Sequence, residues 1–331
     1  MKKRIDLIKR HQLDDFLDWL LSKKSQAEVT GTKTGRSLRR DTAWCWDIQP
    51  SLPPVAAHYD EILLDGIYIG SWCLLIATSN MLEVLAWQWC ARESTAAWMA
   101  LLSRLPAPAI AVTDGGPGIA AAIRTAWPDT LTQRCLFHIQ LNVKQHLTLN
   151  PRTEAGIRLL KLSRELSKVR NEQDVIAWRL ALEAWWQIYG HLTKERTFDK
   201  HRSWFTHDRL RKAWQVLHKV TKNGTLFTYV SYGNQRTTSA LEGGINSQIR
   251  AVLRNHRGMS EDHMKRAAEW FLTMHETPLE DAYKLIPTAE ATRRSRIKTI
   301  VEEPDGPEEY GTGLAADEGL WLRSGWAGRN H

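Results

Sequence analysis

Three carboxylates stand where chemistry is easiest to build. Asp65 closes the most apolar part of a β-rich run, EILLD, directly before Gly66, and Asp114 closes a wholly apolar run, AIAVTD, directly before Gly115-Gly116. Glu242 lies in SALEGGINSQIR, a stretch with helical spacing of Leu241, Ile245 and Ile249. In open α/β sheets ligands gather at the carboxyl ends of strands, so two strand-end aspartates on neighbouring strands face one point. Two carboxylates held together repel, and a divalent cation relieves that; hard oxygens suit Mg²⁺, with Mn²⁺ as a substitute. A third carboxylate from a helix packed on the sheet completes a two-metal site, whose ions roughly 3.5–4 Å apart clamp the attacking and leaving oxygens of a phosphodiester. Glu242 is that candidate. The plainer alternative makes each Asp-Gly a turn and Glu242 a surface residue. The order strand, strand, helix favours the site.

The helix carrying Glu242 contains a local conflict. Gly243 and Gly244 sit in its first turns, where each costs about 1 kcal/mol relative to Ala. Residues without side chains there would let the helix approach the sheet or a nucleic acid backbone closely.

The elements that must position these groups are legible from pattern. Runs at 61–70, 71–79 and 83–90 are β-rich, with a hairpin at Gly70-Ser71. A helix capped by Ser94 and ended by Pro106 follows, then a buried parallel strand at 109–116, a helix at 117–126 and a strand near 130–136. The pattern predicts an α/β fold with a mixed sheet. From about 139 to 230 strand signals vanish and helical spacing takes over, predicting an all-helical insertion before the Glu242 helix. Trp178, Trp185, Trp186, Trp204 and Trp214 fall within it, mainly as packing, with one or two as candidates for stacking on an unpaired base. At the other end, Leu13, Phe16, Leu17, Leu20 and Leu21 mark a helix, and 25–46 fits a small helix-turn-helix with Ser37, Arg39 and Arg40 on its second helix. The expected division is a helical region at 1–50, a catalytic domain from 55–138 and 236–275, an insertion at 139–235, and a C-terminal helix with an acidic, partly disordered tail at 276–331.

Charge favours a polyanionic partner. The 331 residues hold 45 Lys+Arg against 37 Asp+Glu, a net charge of +8, with a pI near 9.3. Residues 1–41 carry eleven Lys/Arg and six Asp/Glu, whereas 302–318 holds seven acidic residues and no base. Cysteines 45, 73, 90 and 135 form no CxxC pair, so neither a disulfide framework nor a self-contained zinc module is indicated. No apolar run approaches 18 residues and no signal-peptide pattern occurs, which points to a cytoplasmic protein.

The strings LLDGIYIG, VTDGG, QRCLFHIQLNVK and SALEGGINSQIR, in that order, resemble the Mutator-type transposases of bacterial insertion sequences over roughly 55–275. The resemblance implies a ribonuclease H-like catalytic domain with an Asp-Asp-Glu triad, in which Asp65, Asp114 and Glu242 hold two Mg²⁺ ions. It implies cleavage at element ends followed by attack of the freed 3′-hydroxyl on target DNA, by a homodimer on double-stranded terminal inverted repeats, in the nucleoid-associated cytoplasm. It also places the group's Cys-x-x-His signature on Cys135 and His138. As residues these are half a zinc site with no evident second half; helix-start packing is the simpler role, and contact with phosphate or proton transfer by His138 stays open. Asn246, Arg250 and Arg254 follow Glu242 at helical spacing and are read as phosphate contacts, against the alternative of a solvated face; Arg236 is a weaker candidate. The group often carries more N-terminal material, so a compact helix-turn-helix or a shortened relative is expected. Two rivals remain: a nuclease on the same scaffold without strand transfer, and a non-catalytic DNA-binding derivative.

Overall fold

Helix signals at the start of the chain resolve into three helices. The computed structural model describes residues 2–31 and 35–287. α1 (Lys2–Leu21), α2 (Gln26–Thr30) and α3 (Arg36–Asp41) come first. Ser25 starts α2 with a capping box to Glu28, and Gly31 at φ +63° ends it.

The sheet begins where the apolar period changes. β1 (Glu61–Ile69), β2 (Trp72–Ser79) and β3 (Val84–Cys90) pair antiparallel in sequence, and Gly70 at φ +61° makes the first turn. α4 (Thr95–Leu102) is capped by Ser94, whose hydroxyl accepts from Ala97 N–H at 3.2 Å. β4 (Ile110–Thr113), α5 (Pro117–Ala126) and β5 (Leu131–Arg134) follow, with β4 parallel to both β1 and β5. The strand order is β3-β2-β1-β4-β5, a mixed five-stranded sheet in an α/β fold.

Period-two alternation gives this sheet two buried faces. Ile62, Leu64 and Leu75 pack on Trp98 and Leu101 of α4 and Ile119 and Ile123 of α5. Leu63, Ile67 and Ile76 face the opposite way, against Leu241, Ile245 and Ile249. Each such side chain contributes about 1.5–3 kcal/mol on full burial, which holds the Glu242 segment on the sheet.

The region after β5 contains α6 (Leu136–Leu147), α7 (Glu154–Glu165), α8 (Glu172–Tyr189), α9 (Asp208–Lys222) and α10 (Thr228–Tyr232). It is not all-helical. β6 (Arg196–Asp199) and β7 (Arg202–Phe205) form a hairpin inside it. In RTFDKHRSWF, β-branched and aromatic residues flank a two-residue Lys200-His201 turn, a strand signal too short to break the surrounding helical pattern. Trp178 and Trp185 are buried and donate to Leu162 and Ala155 carbonyls at 2.9 Å; Trp186 stacks on Trp214 at 4.0 Å. Trp204, on the hairpin, is 48% exposed.

The chain then returns to the sheet through α11 (Ser239–Leu241), a π-helical turn (Glu242–Asn246) and α12 (Ser247–Asn255), and ends in α13 (Glu261–Glu276) and α14 (Leu279–Ala282). α1 packs on this end: Leu13, Phe16, Leu17 and Leu20 share a core with Trp270 and Ala267 of α13 and with Ala282. Residues 288–331, with the acidic run at 302–318, lie outside the described residues. Among the described residues no helix is long and apolar enough to cross a membrane.

Candidate active site

Strand register brings the two aspartates together. The parallel pairing of β1 with β4 runs from Glu61↔Ile110 to Leu64↔Thr113, so Asp65 and Asp114 are the next residues on neighbouring strands. Asp114 does follow the end of its strand. Asp65 does not: β1 continues to Ile69 along β2, with Asp65 opposite Ile76. The reason is one-sided pairing. The chain leaves β4 through Gly115 at φ +72°, with Gly115 N–H donating to Thr113 Oγ1 at 2.7 Å and Gly116 N–H to Asp114 Oδ1 at 2.9 Å. Asp65 therefore lies where β4 no longer covers the edge of β1.

Alternation along β1 puts Asp65 on the face of Leu63 and Ile67, the face covered by Leu241, Ile245 and Ile249. The Glu242 segment meets it there. Asn246, one turn beyond Glu242, is 1% exposed, and its Nδ2 donates to Asp65 Oδ2 at 2.8 Å. Asn246 is thus a partner of Asp65 and not an outward phosphate contact. The π turn widens the backbone between Glu242 and Asn246, and the Ser247 hydroxyl donates to the carbonyls of Gly243 and Gly244. A β-carbon added at Gly243 meets nothing within 4 Å, and one at Gly244 meets only Leu82 Cδ1 at 3.5 Å. On the protein side, then, the glycines do not relieve crowding against the sheet; they lie within the irregular turn.

Glu242 is held from the other side by the Cys-x-x-His pair. Cys135 stands at the start of α6, its N–H bonded to Thr113 O at 2.7 Å. His138 is one turn on, with Nδ1 3.6 Å from Glu242 Oε1. Thr238 Oγ1 lies 3.1 Å from Glu242 Oε1 and 3.4 Å from Cys135 Sγ, so its single proton serves one of them at a time. Sγ of Cys135, a ring nitrogen of His138 and a carboxylate oxygen of Glu242 all fall within 4.8 Å of one another.

Electrostatics join these groups. Burial pushes Asp65 well above the usual carboxylate range; His138 opposes this, while Glu242, Asp114 and Glu93 add to it. Burial also lifts Glu93, with help from Asp114, to about 8. Burial alone would depress His138, but hydrogen bonding and charge from Cys135, with Asp65 and Asp114, outweigh it and hold the imidazolium up to about 10. Cys135 is the converse: burial raises its thiol, and His138 and Thr238 bring it below the ordinary value. His138 is the positive charge at the centre of an acidic cluster.

Glu93 is the residue that sequence reading missed. It sits in the loop between β3 and α4, accepts from Cys73 Sγ at 3.8 Å, and approaches Gly66 so closely that a β-carbon there would lie 2.8 Å from Glu93 Oε1. In sequence it is only an acidic residue ahead of a serine cap, and no periodicity marks it.

The donor set fits a hard divalent cation. Several carboxylates share one field beside the end of β4, and Asn246 Oδ1 beside Asp65 is buried without a hydrogen-bond partner, leaving an oxygen lone pair to give. The proposed DNA contacts are more scattered. Arg39 and Arg40 are exposed on α3, Arg40 pairing with Asp41 at 2.9 Å; Arg254 is exposed and Arg250 half-buried on α12. Arg236 Nη1 donates to Ser167 O at 3.2 Å, and its guanidinium lies over the Tyr229 ring.

Residues 72–219, which include Asp114 and the Cys135–His138 pair, match the model of the Mutator family of transposases. Over that stretch the chain resembles the Mutator-family transposases. It is 28% identical over 152 residues to the transposase for insertion sequence element IS6120 of Mycolicibacterium smegmatis, covering 41% of this chain and 44% of that protein. It is 27% identical over 194 residues to the transposase for ISRM5 of Rhizobium meliloti (53% and 46%) and 33% identical over 103 residues to that for IS905 of Lactococcus lactis (26% and 26%). The chain spans under half the length of these curated relatives in each match. Asp65 and Glu242 lie outside the stretch matched to the Mutator-family model, so their assignment rests on geometry.

Proposed function

We propose that this chain is a DNA transposase acting through a ribonuclease H-like site in which Asp65, Asp114 and Glu242 hold Mg²⁺, or Mn²⁺ in its place. The observation that supports it most is the register of β1 with β4, which sets Asp65 beside Asp114, with the segment of Glu242 packed on the same face. The strand order β3-β2-β1-β4-β5, three antiparallel then two parallel, supports the ribonuclease H-like reading. Bound there, the ions would supply Lewis-acid activation of an attacking oxygen and stabilisation of the leaving one.

The chain's own residues set the stage for an in-line phosphoryl transfer. Asn246 orients Asp65 through its Nδ2 donor. Thr238 and His138 fix Glu242. Gly116 N–H fixes Asp114. Each ligand is thereby preorganised, which is what positioning and electrostatic catalysis demand. The partner is double-stranded DNA, both the element's terminal repeats and its target; the exposed arginines of α3 and Arg254 are the proposed phosphate contacts, and paired ends are held by a homodimer.

The test is incubation of the protein with Mg²⁺ and a labelled fragment carrying the end of its own element. Cleavage at the end and joining to a second duplex are expected, and Asp65→Ala, Asp114→Ala and Glu242→Ala should each reduce both by at least about 10³-fold while leaving fragment binding nearly intact. Cleavage that survives any of the three overturns the ligand assignment. Cleavage without joining makes the protein a nuclease, and binding without cleavage in Mg²⁺ or Mn²⁺ makes it a binding protein.

A further inference from the structure

We propose that Cys135, His138 and Glu242 form a second cation site, one for a thiophilic divalent ion of the Zn²⁺ class, and that filling it draws Glu242 away from Asp65 and Asp114. The first half stands on the cluster itself; the second rests on the proposed function.

Three donors of different chemistry converge here from two separate parts of the chain. Their ligand atoms lie within 4.8 Å of one another, and His138 Nδ1 is 3.6 Å from Glu242 Oε1. Two ligands of one tetrahedral Zn²⁺, at about 2.0–2.3 Å from the ion, stand roughly 3.3–3.6 Å apart. One edge of the tetrahedron is therefore already close to its final span. A soft thiolate with imidazole selects Zn²⁺ over Mg²⁺, whereas the carboxylates and the amide oxygen next door select the reverse. Three protein ligands leave a fourth position open.

The surroundings are those of a metal site. Cys135 is fully buried and its backbone is pinned to the end of β4. Thr238 reaches both its sulfur and the Glu242 carboxylate, an outer-shell hydroxyl able to orient two ligands. His138 Nδ1 is buried, with Glu242 Oε1 at 3.6 Å. Binding needs Cys135 as the thiolate and His138 as the neutral ring, so the protons they carry leave to solvent. Glu242 is then common to a soft site and a hard one. An ion in the first competes for the residue that the second needs.

Cobalt(II) reports this directly. The full chain, stripped of metal and held in excess Mg²⁺, should develop a near-ultraviolet thiolate-to-cobalt absorption that saturates at a single equivalent and is reversed by Zn²⁺. Cys135→Ser should lose the band. His138→Gln and Glu242→Gln should each weaken cobalt binding at least about tenfold. Because Cys135 is buried, circular dichroism of each variant establishes folding, and the His138 variant gives a second, less buried test. No band in the wild type, a band that persists in Cys135→Ser, or one undiminished in both other variants overturns the site. In the cleavage assay, Zn²⁺ at the level that saturates the cobalt site should slow the wild type at least about tenfold and slow Cys135→Ser far less. Cleavage unaffected by saturating Zn²⁺ overturns the competition for Glu242. If the wild type never cleaves in Mg²⁺ alone, the transposase reading fails while the cobalt result stands by itself.

Discussion

Asp65 shows how much a single buried carboxylate constrains its neighbours. It is 8% exposed, tied to one amide, and surrounded by Asp114, Glu242 and Glu93. Removing its one donor leaves a buried acceptor unpaired, at a cost of about 1–3 kcal/mol. Asn246→Ala is therefore expected to lower thermal stability and slow Mg²⁺-dependent cleavage while leaving the affinity for the end fragment nearly unchanged. Were Asn246 a phosphate contact, affinity for the fragment would fall as well, with an unchanged salt slope because the side chain carries no charge. A pH effect arises from the same cluster. Folded Glu93 keeps its proton to about 8, folded His138 to about 10, and Asp65 is raised, so above the unfolded values the folded state binds more protons. This cluster's contribution to the stability of the metal-free protein then falls as pH rises, through Glu93 between about 4.5 and 8 and through His138 between about 6.5 and 10, with Asp65 acting in the same direction and Cys135 in the opposite one. Melting curves in chelator across that range measure it, and Glu93→Gln should flatten the lower part. A melting temperature that climbs from pH 5 to 8 would contradict the cluster's electrostatics.

At the scale of elements, the Glu242 segment is the one that departs from regular geometry. Two glycines, a π turn and a serine bonding back to its carbonyls occur within six residues. A one-residue widening of this kind rotates the residues C-terminal to it, and here it lets Glu242 and Asn246 both serve the same site. Because a β-carbon at Gly243 meets nothing in the chain, Gly243→Ala should hold or raise stability, by at most about 1 kcal/mol. If DNA lies against this turn, the same variant should bind the element's end several-fold more weakly. An alanine that leaves DNA binding untouched removes the glycine's role in DNA approach and leaves only the backbone one.

The whole molecule ties its ends together. α1 contributes Leu13, Phe16, Leu17 and Leu20 to a core with Trp270 of α13, and His256, just past α12, meets Leu20 O through Nε2 at 2.8 Å. The N-terminal helices are thus not a free module. Deleting residues 1–48 should unfold or strongly destabilise the chain, so loss of DNA binding on deletion says little about recognition. Arg39→Glu with Arg40→Glu is the cleaner test, since both side chains are exposed. Melting should be unchanged, binding to the end fragment weaker, and the salt slope smaller by about 2. Equal affinity and slope would remove α3 from the DNA contacts.

Local pattern carried most of the elements. Five strands, the helices between them and the Ser94 cap emerge from period, turn residues and breakers, because these depend on neighbours in sequence. The three carboxylates were also visible, each beside glycine at the edge of an apolar run. The hairpin at 196–205 was not, since four-residue strands barely register within a helical pattern. The run at 61–70 already carried Asp65 inside a strand, but did not show that β4 turns away beside it while β2 continues. Pairing partners distant in sequence made that choice. The same holds for Glu93, brought in from a loop, and for Asn246, whose inward turn comes from the π geometry and the packing of its segment on the sheet. The sequence by itself determined which groups were available and on what elements. Only the tertiary structure decided that Asp65 leans on Asn246, and that Cys135 and His138 meet Glu242, because register, twist and burial act between segments that local spacing cannot relate.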